Sequence, residues 1–599
     1  MLQMIIGRAG SGKTEYIFNS IKNQVEQGDE SILLITPEQF SFISERRILT
    51  DLGEDKVNCV ENGSFSRLSA DIAKKYGSFT LPMLSKGAKA VLFKKACDSC
   101  KDQLKLFSKN VNNNAFISSA VRIYDEMKAC RVSYDDIISA SNNADKVILS
   151  EKLHDIALIM SEYDNLIKDK YTDPAEELTY LYEKLLTLDY FKGRTVYIDG
   201  FSGFVAQEYK IIEVILKQAK SVYITFCSDS PSNNDEYDLF SYVNSNIEIL
   251  TGVAKKENVK ILPPIYLTEN HRAKNDELRS LEKNMYFIKT PYEKEVKNIS
   301  IYRAKSIVDE CNYVSSEISK LMRQGINPSD ITVICRDLDK YQRELQFSFS
   351  KYNIPYFDDE RQSISSQPCV MFINFLFRVC AYYFRSDDIF SLLKTGLTAL
   401  DTESISTLEN YAFMWNINGT KWKSNFTEST RGFVDKMSDS DKKALDEINK
   451  HRDYVISRLE KFSKSVKNTD AKGISRAIYY TLLDFSVDKK IKELAVSLDK
   501  SGKSALAVEQ GRVWDLIMNI LNELAVLSLD EKVSIKEYSK LFNLMIANED
   551  LGNVPIGLDN VQLGSADRIR CNNPYACFVL GANDGEFPQN VSSSGLLTE

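Results

Sequence analysis

Eight residues near the start of the chain have the types and spacing that hold a triphosphate. Gly7-Arg8-Ala9-Gly10-Ser11-Gly12-Lys13-Thr14 fits G-x-x-x-x-G-K-[ST]. Gly7, Gly10 and Gly12 permit a tight turn that brings backbone N–H groups against phosphate oxygens. The helix that must follow points its positive end at the same anion. Lys13 supplies a point charge to the β- and γ-phosphates, and Thr14 a hydroxyl for Mg2+. The alternative is a glycine turn with a chance lysine, and context argues against it. Residues 1–6 read as a short apolar strand, and 14–24 as a helix with Tyr16, Ile17, Ile21 and Val25 along one side. The motif predicts binding of a nucleoside triphosphate such as ATP. It does not predict hydrolysis, nor what the energy would drive.

A second candidate is Asp199, at the end of the apolar run Thr195-Val196-Tyr197-Ile198. A carboxylate there, downstream of a P-loop, helps to hold Mg2+ beside Thr14. Hydrolysis also needs a group that orients or deprotonates water, and the next residue, Gly200, has no side chain. A plain Asp-Gly turn is the competing reading. A third set is Gln39, Ser41, Phe65, Arg67 and Phe204, which follow predicted strands. Aromatics mixed with polar and basic groups suit stacking and edge contacts to unpaired bases. From pattern alone, Phe40, Phe42 and Phe65 fit an apolar core equally well. Arg568 and Arg570 could meet phosphate or lie on the surface.

The elements that must position these groups are α/β. Residues 31–36 read as a buried parallel strand, and 57–60 as a further strand. Residues 221–227 read as another strand, after a helix at 207–218. Ligands of open α/β sheets collect at the C-terminal strand ends, so these loops should share a face with the nucleotide. A second α/β unit begins near 290, with strands at 299–304, 330–336, 559–564 and 576–581 and helices at 306–323 and 338–352. Residues 228–236 read as a loop. The division expected is a first core at 1–84 plus 189–290 with a helical insertion at 85–188. A second core at 291–367 plus 545–599 carries a helical insertion at 368–544.

Bulk properties agree. A chain of 599 residues needs several domains. With 43% hydrophobic and 27% charged residues it is ordinarily globular. No apolar run reaches about 18 residues, so no membrane span is expected. The eleven cysteines lack framework spacing, and Cys97-x-x-Cys100 has no second pair to complete a metal site, so a reduced, cytoplasmic protein is expected. A net charge of −8 argues against a body wrapped in nucleic acid, but not against a local basic groove.

The ordered set GRAGSGKT, LLITPEQFSF, SFSRL, VYIDGF with Gln207-Glu208, DITVICR, NIPYF and FVLGANDGEFP resembles the AddB family along essentially the whole chain. AddB proteins partner the AddA motor in bacterial AddAB helicase-nucleases, of the UvrD-like superfamily 1 type. The resemblance implies two RecA-like cores with parallel sheets, each with a helical insertion. It also implies an AddA-like partner, single- and double-stranded DNA ends as ligands, and a role in break repair by homologous recombination. Active motors of this class carry Asp-Glu where Asp199-Gly200 stands here, and a threonine-histidine-lysine-glycine motif where 564–568 reads Gly-Ser-Ala-Asp-Arg. A motor-impaired core is therefore expected. In the family such a core is associated with scanning a single strand for a recombination hotspot, through positions matching Gln39, Ser41, Phe65, Arg67 and Phe204. The nuclease domain and iron–sulfur cluster of full-length AddB proteins fall outside this chain, which is expected to be an N-terminal portion. A stand-alone ATP-driven translocase and a nucleotide-binding scaffold without DNA contact remain as alternatives.

Overall fold

Runs of consecutive apolar residues become strands buried on both faces. The computed structural model describes all residues except 78–80, 230–237, 286–290, 359–361, 434–435, 528–531, 552–558, 567–568, 570–573, 590–595 and 597–599. Arg568, Arg570 and most of the loop at 228–236 therefore lie outside the described residues.

The first sheet has six parallel strands: β1 (Leu2–Gly7), β2 (Ile32–Ile35), β3 (Val60–Gly63), β4 (Thr195–Ile198), β5 (Ser221–Cys227) and β6 (Ile265–Leu267). Their order is β3-β2-β4-β5-β1-β6. Alternate side chains feed two cores. Met4, Ile6, Leu33, Ile35, Val196 and Ile198 go to one, and Ile5, Ile32, Leu34 and Tyr197 to the other. Strands buried on both sides read as unbroken apolar runs, which is why they were visible in the sequence.

Helix α1 (Lys13–Glu26) buries Ile17, Phe18, Ile21 and Val25 against the second of these cores. Helix α3 (Phe65–Tyr76) begins directly after β3, and α2 (Ser41–Leu52) follows a 3-10 turn at 38–40 after β2, where loops were expected. The strand expected at 57–60 is corrected: 57–59 form a 3-10 turn and β3 starts at Val60.

The next helices are α4 (Lys86–Ser99), α5 (Asn114–Ala129), α6 (Tyr134–Asn142), α7 (Val147–Ile167) and α8 (Glu177–Leu185). Then come α9 (Ala206–Gln218), α10 (Ser241–Lys256), α11 (Asp276–Asn284), α12 (Ile307–Arg323) and α13 (Leu338–Tyr352). A second sheet, ordered β12-β7-β11-β8, is built from β7 (Ile331–Cys335), β8 (Tyr356–Asp358), β11 (Val561–Ser565) and β12 (Ala576–Val579). Strand β7 pairs parallel with both β11 and β12. The fold class is thus α/β with two parallel sheets. The strand expected at 299–304 is absent: these residues are irregular and Ile301 is almost fully exposed, so no neighbouring strand satisfies their backbone.

Residues 1–83, 122–357 and 559–599 form one compact unit, and 84–121 with 358–558 form the other. The second unit contains the two-residue strands β9 (Gln362–Ser363) and β10 (Asp550–Leu551), paired antiparallel. Its helices are α14 (Pro368–Ala381), α15 (Ser386–Leu393), α16 (Thr402–Met414), α17 (Asp439–Ser465), α18 (Ala471–Asp484), α19 (Val487–Lys500), α20 (Ser504–Val526) and α21 (Ile535–Asn548). The helical stretch expected at 85–188 is therefore divided. Helix α4 packs on α20 and α21, where Gly87 lets it approach Met545; a Cβ there would lie 3.2 Å from the Met545 Cα. Helix α8 instead sends Leu181 and Leu185 into the core of the first sheet. Cys97 and Cys100 are buried thiols, and burial pushes Cys97 up to about 12. Among the described residues no helix is long and apolar enough to cross a membrane.

Helix α21 opens with a capping box. Ser534 Oγ accepts from the Glu537 amide at 3.2 Å, and the Ser534 amide donates to the Glu537 carboxylate at 3.1 Å. The Ser534 hydroxyl and amide hold the Glu537 carboxyl below its ordinary value. A carboxyl lowered in the folded state contributes stability above its unfolded value and loses it as pH falls through the folded one. Ser534→Ala should cost about 1 kcal/mol at neutral pH. Chemical denaturation across pH should find that difference shrinking below about pH 4; a difference independent of pH would contradict this.

Candidate functional site

Strand β1 lies between β5 and β6, and its C-terminal end runs directly into the glycine loop. Gly10 and Gly12 have φ of 81° and 86°, a region that favours glycine. Gly7 has a different reason: a Cβ there would overlap the Ser11 hydroxyl and lie 2.5 Å from the Leu267 carbonyl oxygen on β6. Gly12 is the N-cap of α1 and offers no side chain to cap it. Ser11 is buried, and its hydroxyl has no hydrogen-bond partner among the described residues. A glycine cradle ending at an uncapped helix start, with an unsatisfied buried hydroxyl in it, fits an anionic ligand. Lys13 Nζ donates to the carbonyls of Gly7 at 2.7 Å and Arg8 at 2.9 Å, so its charge is folded over the loop. Thr14 follows it in the first turn of α1.

Arg8 is committed elsewhere. Its guanidinium donates to the Glu282 carbonyl at 2.9 Å, pairs with the Glu282 carboxylate and approaches Asp229 at 3.7 Å. It also lies 5.6 Å from the Phe240 ring centroid. Among the loop residues, this one anchors the turn instead of facing a phosphate.

Sequence reasoning missed the segment after β6. The His271 amide donates to the Gly10 carbonyl at 2.9 Å, and Asn270 Oδ1 accepts from the amides of Arg272 and Ala273. A Cβ on Gly10 would lie 2.9 Å from Asn270 Oδ1 and 2.8 Å from Arg272 Cβ. The available signal was a three-residue apolar run, Ile265–Leu267, followed by the polar run Thr268–Arg272.

Asp199 lies just past β4, 3% exposed, and accepts a hydrogen bond from Thr225 Oγ1 at 2.6 Å. Gly200 has φ of 86°. Thr225→Val keeps the shape but leaves a buried carboxylate short of a donor. It should cost about 1–3 kcal/mol, measured by thermal unfolding; an unchanged melting temperature would refute the role given to this bond.

The five residues expected to meet a strand lie at the C-terminal ends of β2, β3 and β4, which are adjacent in the sheet. Gln39 is exposed on a 3-10 turn. Ser41 opens α2; its carbonyl accepts from Asn62 Nδ2 at 3.0 Å, and its hydroxyl is buried without a hydrogen-bond partner among the described residues. Arg67 is half exposed and pairs with Glu45 at 2.7 Å. Phe65 and Phe204 require correction, because both are core residues, 3% and 6% exposed. Ser64 caps α3 by accepting from the Arg67 amide at 3.1 Å, and the helix so started turns Phe65 inward. The Phe204 amide donates to Asn246 Oδ1 at 3.1 Å. Phe201 bridges the two rings, with centroids 5.6 Å from Phe65 and 5.1 Å from Phe204. In this conformation neither buried ring offers a face to a base. Gln207, buried, donates to the Ala175 carbonyl at 2.8 Å and to Thr179 Oγ1 at 2.9 Å, so its amide is used in packing.

The sheet and its glycine loop define a P-loop protein of the parallel α/β class. Residues 4–282 match the family described as "ADDB, N-terminal". Along its whole length the chain is similar to proteins named as the B component of an "ATP-dependent helicase/deoxyribonuclease". It is 31% identical over 608 residues to that of Thermoanaerobacter sp. (strain X514), covering 53% of the relative. It is 30% identical over 605 residues to that of Clostridium novyi (strain NT), covering 52%. Over 615 residues it is 31% identical to that of Ruminiclostridium cellulolyticum, covering 53%. The chain spans about half the length of the curated relatives it matches. Residues 4–282 are thus similar to the family that the motif order indicated.

Proposed function

We propose that this chain is a nucleotide-binding, strand-guiding subunit of an ATP-dependent helicase–deoxyribonuclease that processes double-strand DNA ends for recombinational repair. It acts in the cytoplasm with an AddA-like motor subunit. Its two RecA-like cores are built on the first sheet, β1 to β6, and on the second, β7, β8, β11 and β12. ATP binds at Gly7–Thr14, with Lys13 turning from the loop carbonyls to the phosphates. Thr14 and Asp199 would hold Mg2+, which would supply charge neutralisation at the phosphates. The displaced single strand passes over Gln39, Ser41 and Arg67 and is scanned for a hotspot sequence.

The observation that carries the motor-impaired reading is Gly200. An active motor needs a carboxylate next to Asp199, and here that position holds glycine at a φ of 86°, a backbone that disfavours any side chain. ATP can be bound with no residue at that position to activate water.

The test is ATP binding and ATP turnover by this purified chain, with and without single-stranded DNA. Saturable binding without DNA-stimulated turnover is expected. Turnover that rises with DNA and vanishes in Lys13→Ala would replace this reading with an autonomous translocase.

A further inference from the structure

The burial of Phe65 and Phe204 removes two expected aromatic faces from the strand-guiding edge, and besides exposed Phe42 on α2 the structure holds another ring there. Helix α10 begins after β5, the strand next to β4, so its first turn stands at the same C-terminal edge as the loop 200–204. Tyr242 lies in that first turn and is 63% exposed.

The hydroxyl end of the ring lies close to Gly203. A Cβ on Gly203 would lie 2.5 Å from the Tyr242 hydroxyl oxygen, 2.6 Å from Cε1 and 2.7 Å from Cζ. Glycine at 203 therefore permits the close approach of the hydroxyl end of the ring to the loop. Asn246 ties the two segments together. Its Oδ1 accepts from the Phe204 amide at 3.1 Å and from the Tyr209 hydroxyl, and its Nδ2 donates to the Tyr242 carbonyl at 2.7 Å. Asn246 is itself buried, 3% exposed, so this brace is part of the packed structure. Half-buried Phe201 lies in the same loop.

We propose that Tyr242 is a base-stacking residue for an unpaired nucleic-acid strand at the C-terminal edge of the first sheet. The proposal rests on the strand-guiding reading above and assigns its aromatic contact. A ring already positioned by Gly203 and Asn246 loses little freedom when a base stacks on it. Stacking tolerates any base, since every base has a π-face. That suits a residue that lets sequence pass while Gln39 and Arg67 touch edges and phosphates. It also fits the position of β5, which α10 follows, between the P-loop strand and the strands that lead to Gln39 and Arg67.

The test uses the 599-residue chain and an oligothymidylate carrying single 2-aminopurine substitutions, read by anisotropy and by quenching of the fluorescent base. Tyr242→Leu should weaken binding about tenfold and abolish quenching at one position. Tyr242→Phe should retain both. Gly203→Ala, which displaces the ring without removing it, should behave as Tyr242→Leu does. The slope of log affinity against log salt should be the same in all three, because no charge is removed. Binding by Tyr242→Leu within twofold of the unaltered chain, with quenching intact, overturns the assignment and leaves the strand-guiding reading standing. A Tyr242→Leu defect confined to association with a partner protein overturns it also. No binding by the unaltered chain at low salt defeats the strand-guiding reading, and this assignment with it.

Discussion

Lys13→Ala should reduce affinity for ATP by at least about a hundredfold, in a titration with a fluorescent ATP analogue. In the structure the ammonium donates to the Gly7 and Arg8 carbonyls. A triphosphate offers anionic oxygens in their place, and hydrogen bonds between charged groups are worth about 1.5–3 kcal/mol each. Two such bonds exceed the roughly 2.7 kcal/mol that a hundredfold change requires. The fold should survive, because Lys13 is only half buried and the Gly10 and Gly12 turns do not depend on it. Lys13→Arg should not restore binding, since a planar fork cannot replace a compact point charge inside a tight turn. Affinity within threefold of the unaltered chain would remove Lys13 from the phosphate site.

Trp422→Ala should destabilise the second unit by about 3–5 kcal/mol. Trp422 is fully buried, its indole N–H donates to Ser386 Oγ at 2.9 Å, and its ring lies 5.7 Å from Phe390 and 5.8 Å from Phe426. Truncation leaves a cavity among aromatics that cannot collapse into it, and deprives Ser386 of a donor. Denaturant unfolding should show the transition of the second unit moving to lower concentration. ATP affinity at the P-loop, in the first unit, should stay within twofold below that transition. An unchanged transition would contradict the packing argument; a parallel loss of ATP affinity would mean the two units do not respond separately.

The contrast between these two residues bears on what could be read in advance. Lys13 was legible because strand, glycine turn and helix are consecutive, and each is specified by its own residues. Trp422 was not, because its value lies in Ser386, Phe390 and Phe426, whose convergence is set by packing. Phe65 and Phe204 show the same limit from the other side. Their position after strands was read correctly, but the direction of their rings was set by the Ser64 cap and by Asn246, which is 42 residues from Phe204.

By itself, then, the amino-acid sequence determined the glycine loop between β1 and α1, the doubly buried parallel strands and the glycine after Asp199, because local backbone preference and apolar runs are written in neighbouring residues. Tertiary structure alone decided that Arg8 anchors the loop to Glu282, that 270–272 lie over Gly10, that α4 packs on α21, and that Tyr242 instead of Phe65 faces solvent. Each of these depends on chain segments far apart in sequence meeting, and burial belongs to that meeting and not to any one residue type.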